Sequence, residues 1–381
     1  MHRGSFIYEL HRARHLSSKD PRDHVYAFLG HFSLRESSGS GNDINNSNTE
    51  DGLAGIEPDY SRSVRDVYTD VAIRALTGDS SSSLILLSAC HNVQSPNRAS
   101  RALRRRIALP SWVPDWRVLP IHVISSPDTP HRACGRDRTA AELRIDKRAK
   151  LLHIKGVRVD AVARCWVPFN GYTFYMRTGR QSSPSRRGTP HTQQQQPPPP
   201  PPLPSLWTDI CRKTDFTLDE KYVDGRCPAF LALIHTLTNA CIGAERAIRH
   251  AASDAVPETD WLANGAAYLV SSTSNSPSPV PISDDLRAVA ERGTPYKWSH
   301  EATLVSRYRR FGVTERGYYL LGPDVMQHGD VVVVLYGGRV PYVLRPEQGG
   351  RWKLLGECYM HGMMSGEALE TGAEEEVFTI S

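Results

Sequence analysis

The sequence predicts an α+β protein. It should have an N-terminal helical part, a discontinuous small antiparallel β-barrel or sandwich, a helical insertion and a disordered Pro/Gln-rich linker. Three stretches carry this reading. Asp330 to Leu335 is a β-branched apolar run of strand length, and Gly337-Gly338, Val340 to Leu344, Gln348-Gly349-Gly350 and a third run from Trp352 to about Met360 complete a three-stranded meander. Val64, Val67, Tyr68, Val71, Ala72, Ala75 and Leu76 form a stripe at helical spacing behind Ser63 and Asp66, a capping-box pair, with Gly78 as the stop. Residues 178–206 are Ser/Arg-, Gln- and Pro-rich, a composition that favours extended polyproline II and cannot build a core.

The meander alone buries too little to stand. Val331, Val333 and Leu335 lie on one side of their strand and Val332, Val334 and Tyr336 on the other, so both faces need cover. Cover can come from Glu142–Asp146 and Leu151–Val162, two strands around a Lys-Arg-Ala-Lys turn, and from a hairpin of Arg310–Thr314 with Gly317–Leu321. These are expected to join one sheet system across the intervening residues, because loop closure costs only logarithmically more with length. Gly156 is read as a bulge. Pro341 cannot donate to a ladder, so its strand is read as an edge or a bulge.

Helices are expected elsewhere. Phe6, Ile7, Leu10 and Ala13 suit one over Phe6–Leu16. Asp20 is the expected N-cap of a short helix with Pro21 at its first position, Asp23 behind it and Gly30 at its end. Leu84–Cys90 gives another. Leu109–Arg117 holds Trp112 and Trp116 on either side of Pro114, with Asp115 beside it: a rigid extended staple whose indoles serve core packing. Helices are also expected over about Pro228–His250, Trp261–Val270 and Asp284–Glu291. Ser37–Asp51 is a flexible loop by composition.

Charged residues make up 23% of the 381-residue chain, the formal net charge is +5, and no nucleic-acid-binding signature accompanies it, so no nucleic-acid partner is expected. The basic cluster Arg101, Arg104, Arg105 and Arg106 reads as a solvated loop. Seven scattered cysteines without a CxxC exclude a disulfide framework and a structural zinc site, which suits a cytoplasmic protein. No apolar run is long enough to span a membrane. GxSxG, Walker A, HExxH and kinase motifs do not occur. His11 and His15 share a helical face but lack the metalloprotease glutamate, and Arg12 and Arg14 lie beside them, so they read as structural or exposed histidines. No catalytic residue, metal ligand or cofactor is assigned. Cys358, His361 and Glu367 are the residues an enzyme reading would need.

Three phrases in order resemble fungal heterokaryon-incompatibility (HET) domain proteins: DPRDHVYAFLG at Asp20–Gly30, LPSWVPDWR at Leu109–Arg117, and the C-terminal stretch from Gly329 to Leu369, with its GD-x-V-x-VL and LLGE-x-Y-x-HG runs. The SY-x-WG and WIDA-x-CINQ phrases of that domain do not occur, so the chain looks like the domain's tail plus the region C-terminal to it. Met363 and Ser365 stand where the family phrase has isoleucine and aspartate. The resemblance implies a part in self/non-self recognition that triggers programmed cell death after fungal cells fuse. It also implies protein partners, with self-association left open. The effector domain is distantly similar to TIR domains, and none of its catalytic residues is carried over here. The expected division is a HET-like tail over 1–30, a helical segment over 31–117 with a loop at 37–55, a first β part over 118–176, the linker over 177–206, the insertion over 207–302, a second β part over 303–370 and a tail over 371–381. The positions singled out as structural or interaction residues are Asp20, Pro21, Arg22, Asp23, Trp112, Pro114, Asp115, Trp116, Gly329, Asp330, Pro341, Arg345, Gly356, Glu357, Tyr359, Gly362, Gly366 and Glu367. Two further function classes stay open. One is a binding module using the Pro341 edge or the Trp-rich staple. The other is an enzyme assembled near Cys358.

Overall fold

A computed structural model describes residues 5–31, 53–78, 84–91, 107–118, 121–126, 129–174, 176, 216–240, 258–273 and 281–381. The chain divides into two compact units, residues 1–168 with 308–381, and residues 169–307. The Ser37–Asp51 loop, the Arg101–Arg106 cluster and the 177–206 linker lie outside the described residues.

The first unit is built on one long strand. β1 (Leu143–Asp146) turns into β2 (Leu151–Cys165), and the strands β3 (Arg309–Thr314), β4 (Tyr319–Pro323), β5 (Val331–Leu335), β6 (Tyr342–Glu347), β7 (Arg351–Glu357), β8 (Tyr359–Met360) and β9 (Glu375–Ile380) come after the second unit. β2 pairs antiparallel with β1, β5, β9 and β3 along its length. The ladder β5-β6-β7-β9-β2 returns from β2 to β5, so five strands close a ring, while β3, β4 and β8 extend from the far end of β2. Closure is uneven: β7 meets β9 only through the parallel Trp352–Ile380 bridge. All five residues of β5 are buried, as its two-sided valine run requires.

Four expectations are corrected here. Residues 371–381 are not a tail, because β9 places Phe378 and Ile380 opposite Ile154 and Leu152 inside the barrel. The strand after Pro341 is not an edge, and of the two alternatives the bulge holds, since the β6–β7 register shifts between Val343 and Leu344. β6 is paired on both sides, and the proline sits just before it, where no ladder N–H is required and its carbonyl accepts from Cys358 N. Gly156 does not mark a bulge; the register of β2 shifts between Arg158 and Asp160 and again between Val162 and Arg164. Gly156 is instead where β5 approaches closest, and a Cβ there would collide with the Val334 carbonyl oxygen. Asp20 caps no helix directly: α2 starts at Asp23 with Arg22 at its N-cap, and Asp20 closes the turn before it.

Helices pack on this sheet system. α1 (Phe6–Arg12) continues into a 3₁₀ turn (Ala13–His15), and α2 is Asp23–Tyr26. α3 (Val64–Thr77) is capped as its sequence requires, with Asp66 N donating to Ser63 Oγ (3.2 Å) and Ser63 Oγ donating to the Asp66 carboxylate (2.7 Å). α4 is Ile85–Ser88.

The second unit carries α5 (Ala229–Leu237), α6 (Glu258–Thr273), α7 (Asp284–Ala290) and α8 (Pro295–Ser306), the last not anticipated. Within its described residues α5 stops well before His250. Asn239 and Ala240 take positive φ values that end the helix. The core of this unit is aromatic: Trp298 lies 4.7 Å from Tyr268 and 5.5 Å from Phe174, and Phe174 lies 5.0 Å from Phe169, between ring centroids.

Candidate functional site

The residues the sequence singles out fall into four groups, all in the barrel unit, and most of them are bonded inward. The DPR phrase and the DWR phrase use the same local device. Asp20 Oδ1 accepts from Arg22 N and Nε at 2.9 and 3.0 Å, and Oδ2 accepts from Arg22 Nη2 at 2.7 Å. That contact holds the Asp20 carboxyl down at about 2. Asp115 grips Arg117 through the same three donors. An aspartate followed two residues later by arginine closes a small backbone turn while orienting the guanidinium. Arg22 then reaches the carbonyls of Tyr60 and Arg62, Tyr60 donates to Asp23 (2.6 Å) and Tyr68 donates to the Pro21 carbonyl (2.6 Å). The phrase thus ties α2 to α3.

The Trp-rich staple is core. Trp112 and Trp116 are fully buried, Pro114 is buried between them, and Trp112 Nε1 donates to the Lys150 carbonyl (3.1 Å). Arg14 stacks over Trp116 at 4.6 Å. Ser111 bridges the weak seam of the barrel. Its N donates to Ser381 O (2.8 Å), its hydroxyl donates to the same oxygen and accepts from Leu354 N (3.0 Å).

Two ion pairs lock the barrel, Arg309–Glu357 buried on both sides and Asp330–Arg345 with only the carboxylate buried. Asp330, preceded by Gly329 in the left-handed region, accepts from Arg345 Nε (2.7 Å) and Nη2 (2.9 Å) and from Gln327 N (2.7 Å). Glu357, at the end of β7, is more deeply enclosed. Its Oε1 accepts from Arg309 Nη2 (2.7 Å) and Ile124 N (2.6 Å), and Oε2 accepts from Ser125 N (3.1 Å). Arg309 also donates to the Glu357 and His122 carbonyls. One carboxylate therefore pins segment 121–126 to β3 and β7. Next to it, Gly356 faces the Cys90 carbonyl, 3.2 Å from where a Cβ would stand. The cavity beside this pair, lined by Tyr308, Arg309, Asp324, Gly356 and Glu357, holds about 10 Å³, room for one water and no substrate.

The last group lies just beyond β8. Tyr359 bonds His361 Nδ1 at 3.0 Å and lies beside the buried His131. Gly362 and Gly366 both have positive φ. Gly366 also abuts Gly135, so a side chain there meets both strain and a neighbouring backbone. Glu367 opens the four-residue α9 (Glu367–Glu370), and its carboxylate accepts from Ser365 N (2.6 Å), closing the turn locally. Cys358 is fully buried and burial pushes its thiol up well above the ordinary range, which makes it a poor nucleophile. Among the described residues no His/Cys/Asp/Glu group could hold a metal ion, and no helix is long and apolar enough to cross a membrane.

Sequence reasoning missed Arg309, Ser111 and the Ile124–Ser125 amides. An acid inside a buried strand signals that a cation and donors must exist, but those for Glu357 lie 48 and 233 residues away. A larger open groove of about 480 Å³ lies between α1 and segment 121–123, lined by Tyr8, Arg12, Leu16, Phe28 and Val123 among others.

Residues 294–380 match the family model of the Het-6 beta-barrel domain. Over 71 residues the chain is 41% identical to heterokaryon incompatibility protein 6, OR allele, of Neurospora crassa, a match covering 18% of this chain and 10% of that protein. No solved structure matches the chain. The matched domain contains β3 to β9, while β1 and β2, which complete the ladder, lie before it. β3 to β9 and the Arg309–Glu357 and Asp330–Arg345 pairs thus lie within the stretch that matches the Het-6 beta-barrel domain, and the chain's resemblance to fungal heterokaryon-incompatibility proteins holds.

Proposed function

We propose that this chain is a non-catalytic recognition or regulatory portion of a fungal heterokaryon-incompatibility protein, acting in the cytoplasm through protein partners in self/non-self recognition. The supporting observation is how the barrel uses its motif acids. Glu357 spends its carboxylate oxygens on the buried Arg309 and two backbone amides, and Asp330 spends its own on Arg345 and the Gln327 amide. Groups so engaged shape a rigid module and offer little to a reacting substrate. The similarity to heterokaryon incompatibility protein 6 supports this biological setting. Expression of residues 1–381 alone in a fungal host should leave the cells alive. Cell death with no partner supplied would overturn the reading and put an active effector within this sequence.

A further inference from the structure

The buried face of α1 carries an arrangement the barrel and its motifs leave unexplained. His11, in the last turn of α1, is 5% exposed. Its Nε2 lies 3.0 Å from the Ile121 carbonyl. A carbonyl only accepts, so Nε2 carries the hydrogen and Nδ1 is the bare nitrogen. Nδ1 is buried with no hydrogen-bond partner among the described residues. This bond and that of Ser126 Oγ donating to the Tyr8 hydroxyl (3.2 Å) join α1 to segment 121–126, which Glu357 holds in turn through the Ile124 and Ser125 amides.

The charged groups around the ring are of one sign. Arg14, from the 3₁₀ turn after α1, is 3% exposed and donates to the Ala89 carbonyl at 2.9 Å. Arg309 acts on the ring from β3, and His122 from segment 121–126, where burial keeps it neutral down to about 4. The His91 ring, beyond α4, meets that of His11 edge-on at 5.2 Å, and the Tyr8 ring stacks from the same helix at 6.4 Å. The carboxylate on α1, Glu9, meets Arg12 through Oε2 at 2.8 Å while its Oε1 is buried without a hydrogen-bond partner among the described residues, and the carboxylate beside Arg309, Glu357, is taken by Arg309.

We propose that the contact between α1 and segment 121–126 is an acid-sensitive joint, held while His11 is neutral and opened when it gains a proton. Protonation at Nδ1 would bury a donor with no acceptor and add a cation beside the buried Arg14, two costs that α1 avoids by lifting away from the segment. The groove lined by Tyr8, His11, Leu16, Phe28 and Val123 lies at this joint, so its opening is under the same control. Burial and Arg14 hold the His11 imidazole well below its ordinary value, which agrees in direction. A histidine depressed in the folded state keeps its contribution above the ordinary histidine value and loses it as pH falls below that value, so the joint weakens on the acid side.

The test is hydrogen exchange of the full chain, comparing peptides from α1 and from β5 at about pH 7.5 and pH 5 after correction for intrinsic rates. In the wild type the α1 opening constant should rise roughly tenfold or more while β5 stays protected. His11→Gln, whose amide nitrogen can replace Nε2 as donor to Ile121 without titrating, should remove the pH dependence. Equal acid sensitivity in His11→Gln, or an unchanged α1 in the wild type, would overturn the joint. Should that variant misfold, NMR titration of the wild-type His11 ring decides. Retention of the neutral ring well below the ordinary value, with α1 exchange rising as the ring gains its proton, upholds the joint. An ordinary titration midpoint overturns it.

Discussion

The two units solve the problem of a buried interior differently. In the barrel unit, charged and polar residues are carried inward and paired: Glu357 with Arg309, Asp330 with Arg345, and Ser88 with the Tyr342 hydroxyl at 3.1 Å. In the helical unit, large rings fill the space, and the indole nitrogen of Trp298 needs only the Ile234 carbonyl (3.4 Å). A polar interior fixes one geometry, because each group must meet its partner. An aromatic interior depends on volume and forgives a shift. The phrases shared with the heterokaryon-incompatibility proteins fall in the barrel unit, where geometry is fixed by polar contacts.

This difference can be broken by mutation. Glu357→Ala would leave Arg309 as a buried cation and two amides without acceptors, and should destabilise the barrel unit by about 3–5 kcal/mol. Glu357→Gln, which keeps an acceptor, should cost less. Trp298→Ala should cost the helical unit a similar amount, about 3–5 kcal/mol, through the cavity it leaves. Denaturant unfolding with one probe in each unit checks both. If the polar interior is the less forgiving, Trp298→Phe will recover most of the loss in the helical unit, whereas Glu357→Asp will recover little in the barrel.

A smaller effect sharpens the same contrast. Gly156→Ala sets a methyl against the Val334 carbonyl oxygen, and Gly293→Ala sets one against the Ala263 carbonyl oxygen, so each should cost about 1–3 kcal/mol. Gly265→Ala meets only the Ile234 side chain, which can turn aside, and should cost less than either. Thermal melts of the three variants test the ranking.

The smallest expected effect is at the surface. Asp20→Asn removes the Arg22 clamp from an exposed turn and should shift the melting midpoint less than any variant above. Because the Asp20 carboxyl is held down at about 2, its contribution is present above the ordinary aspartate value and lost as pH falls toward 2. The difference between wild type and Asp20→Asn should therefore shrink on acidification. A difference that grows instead would show that the carboxylate opposes folding.

How much of the fold was legible depends on the range over which each signal acts. The α3 cap and the Gly349-Gly350 turn involve residues within a few positions of one another, and they read directly. The all-apolar β5 declared that both faces were covered, which led to the pairing with β2. β9 did not read, because Glu375 and Glu376 look like a solvated tail until Arg138 and Arg158 are found across the ladder. Pro341 misled on the edge alone, because a proline forbids one donor at one position and says nothing of its strand's other partners, while the bulge alternative matches the register shift of the β6–β7 ladder. Within the candidate site the D-x-R turns could be read in place, but the partners of Glu357 could not, since nothing local marks Arg309 or Ile124 as its match.

β2 contributes to four pairings, yet three of the strands it pairs with come after the helical unit. During synthesis, residues 169–307 emerge as one contiguous stretch and can collapse on their own local contacts. β2 must meanwhile wait for β9, more than two hundred residues downstream. At ribosomal speeds of about 5–20 residues per second, that leaves an unpaired valine- and leucine-bearing strand open for about ten seconds or more. The barrel is thus the late-maturing part of the chain, and its assembly interval is when a chaperone would have most to protect.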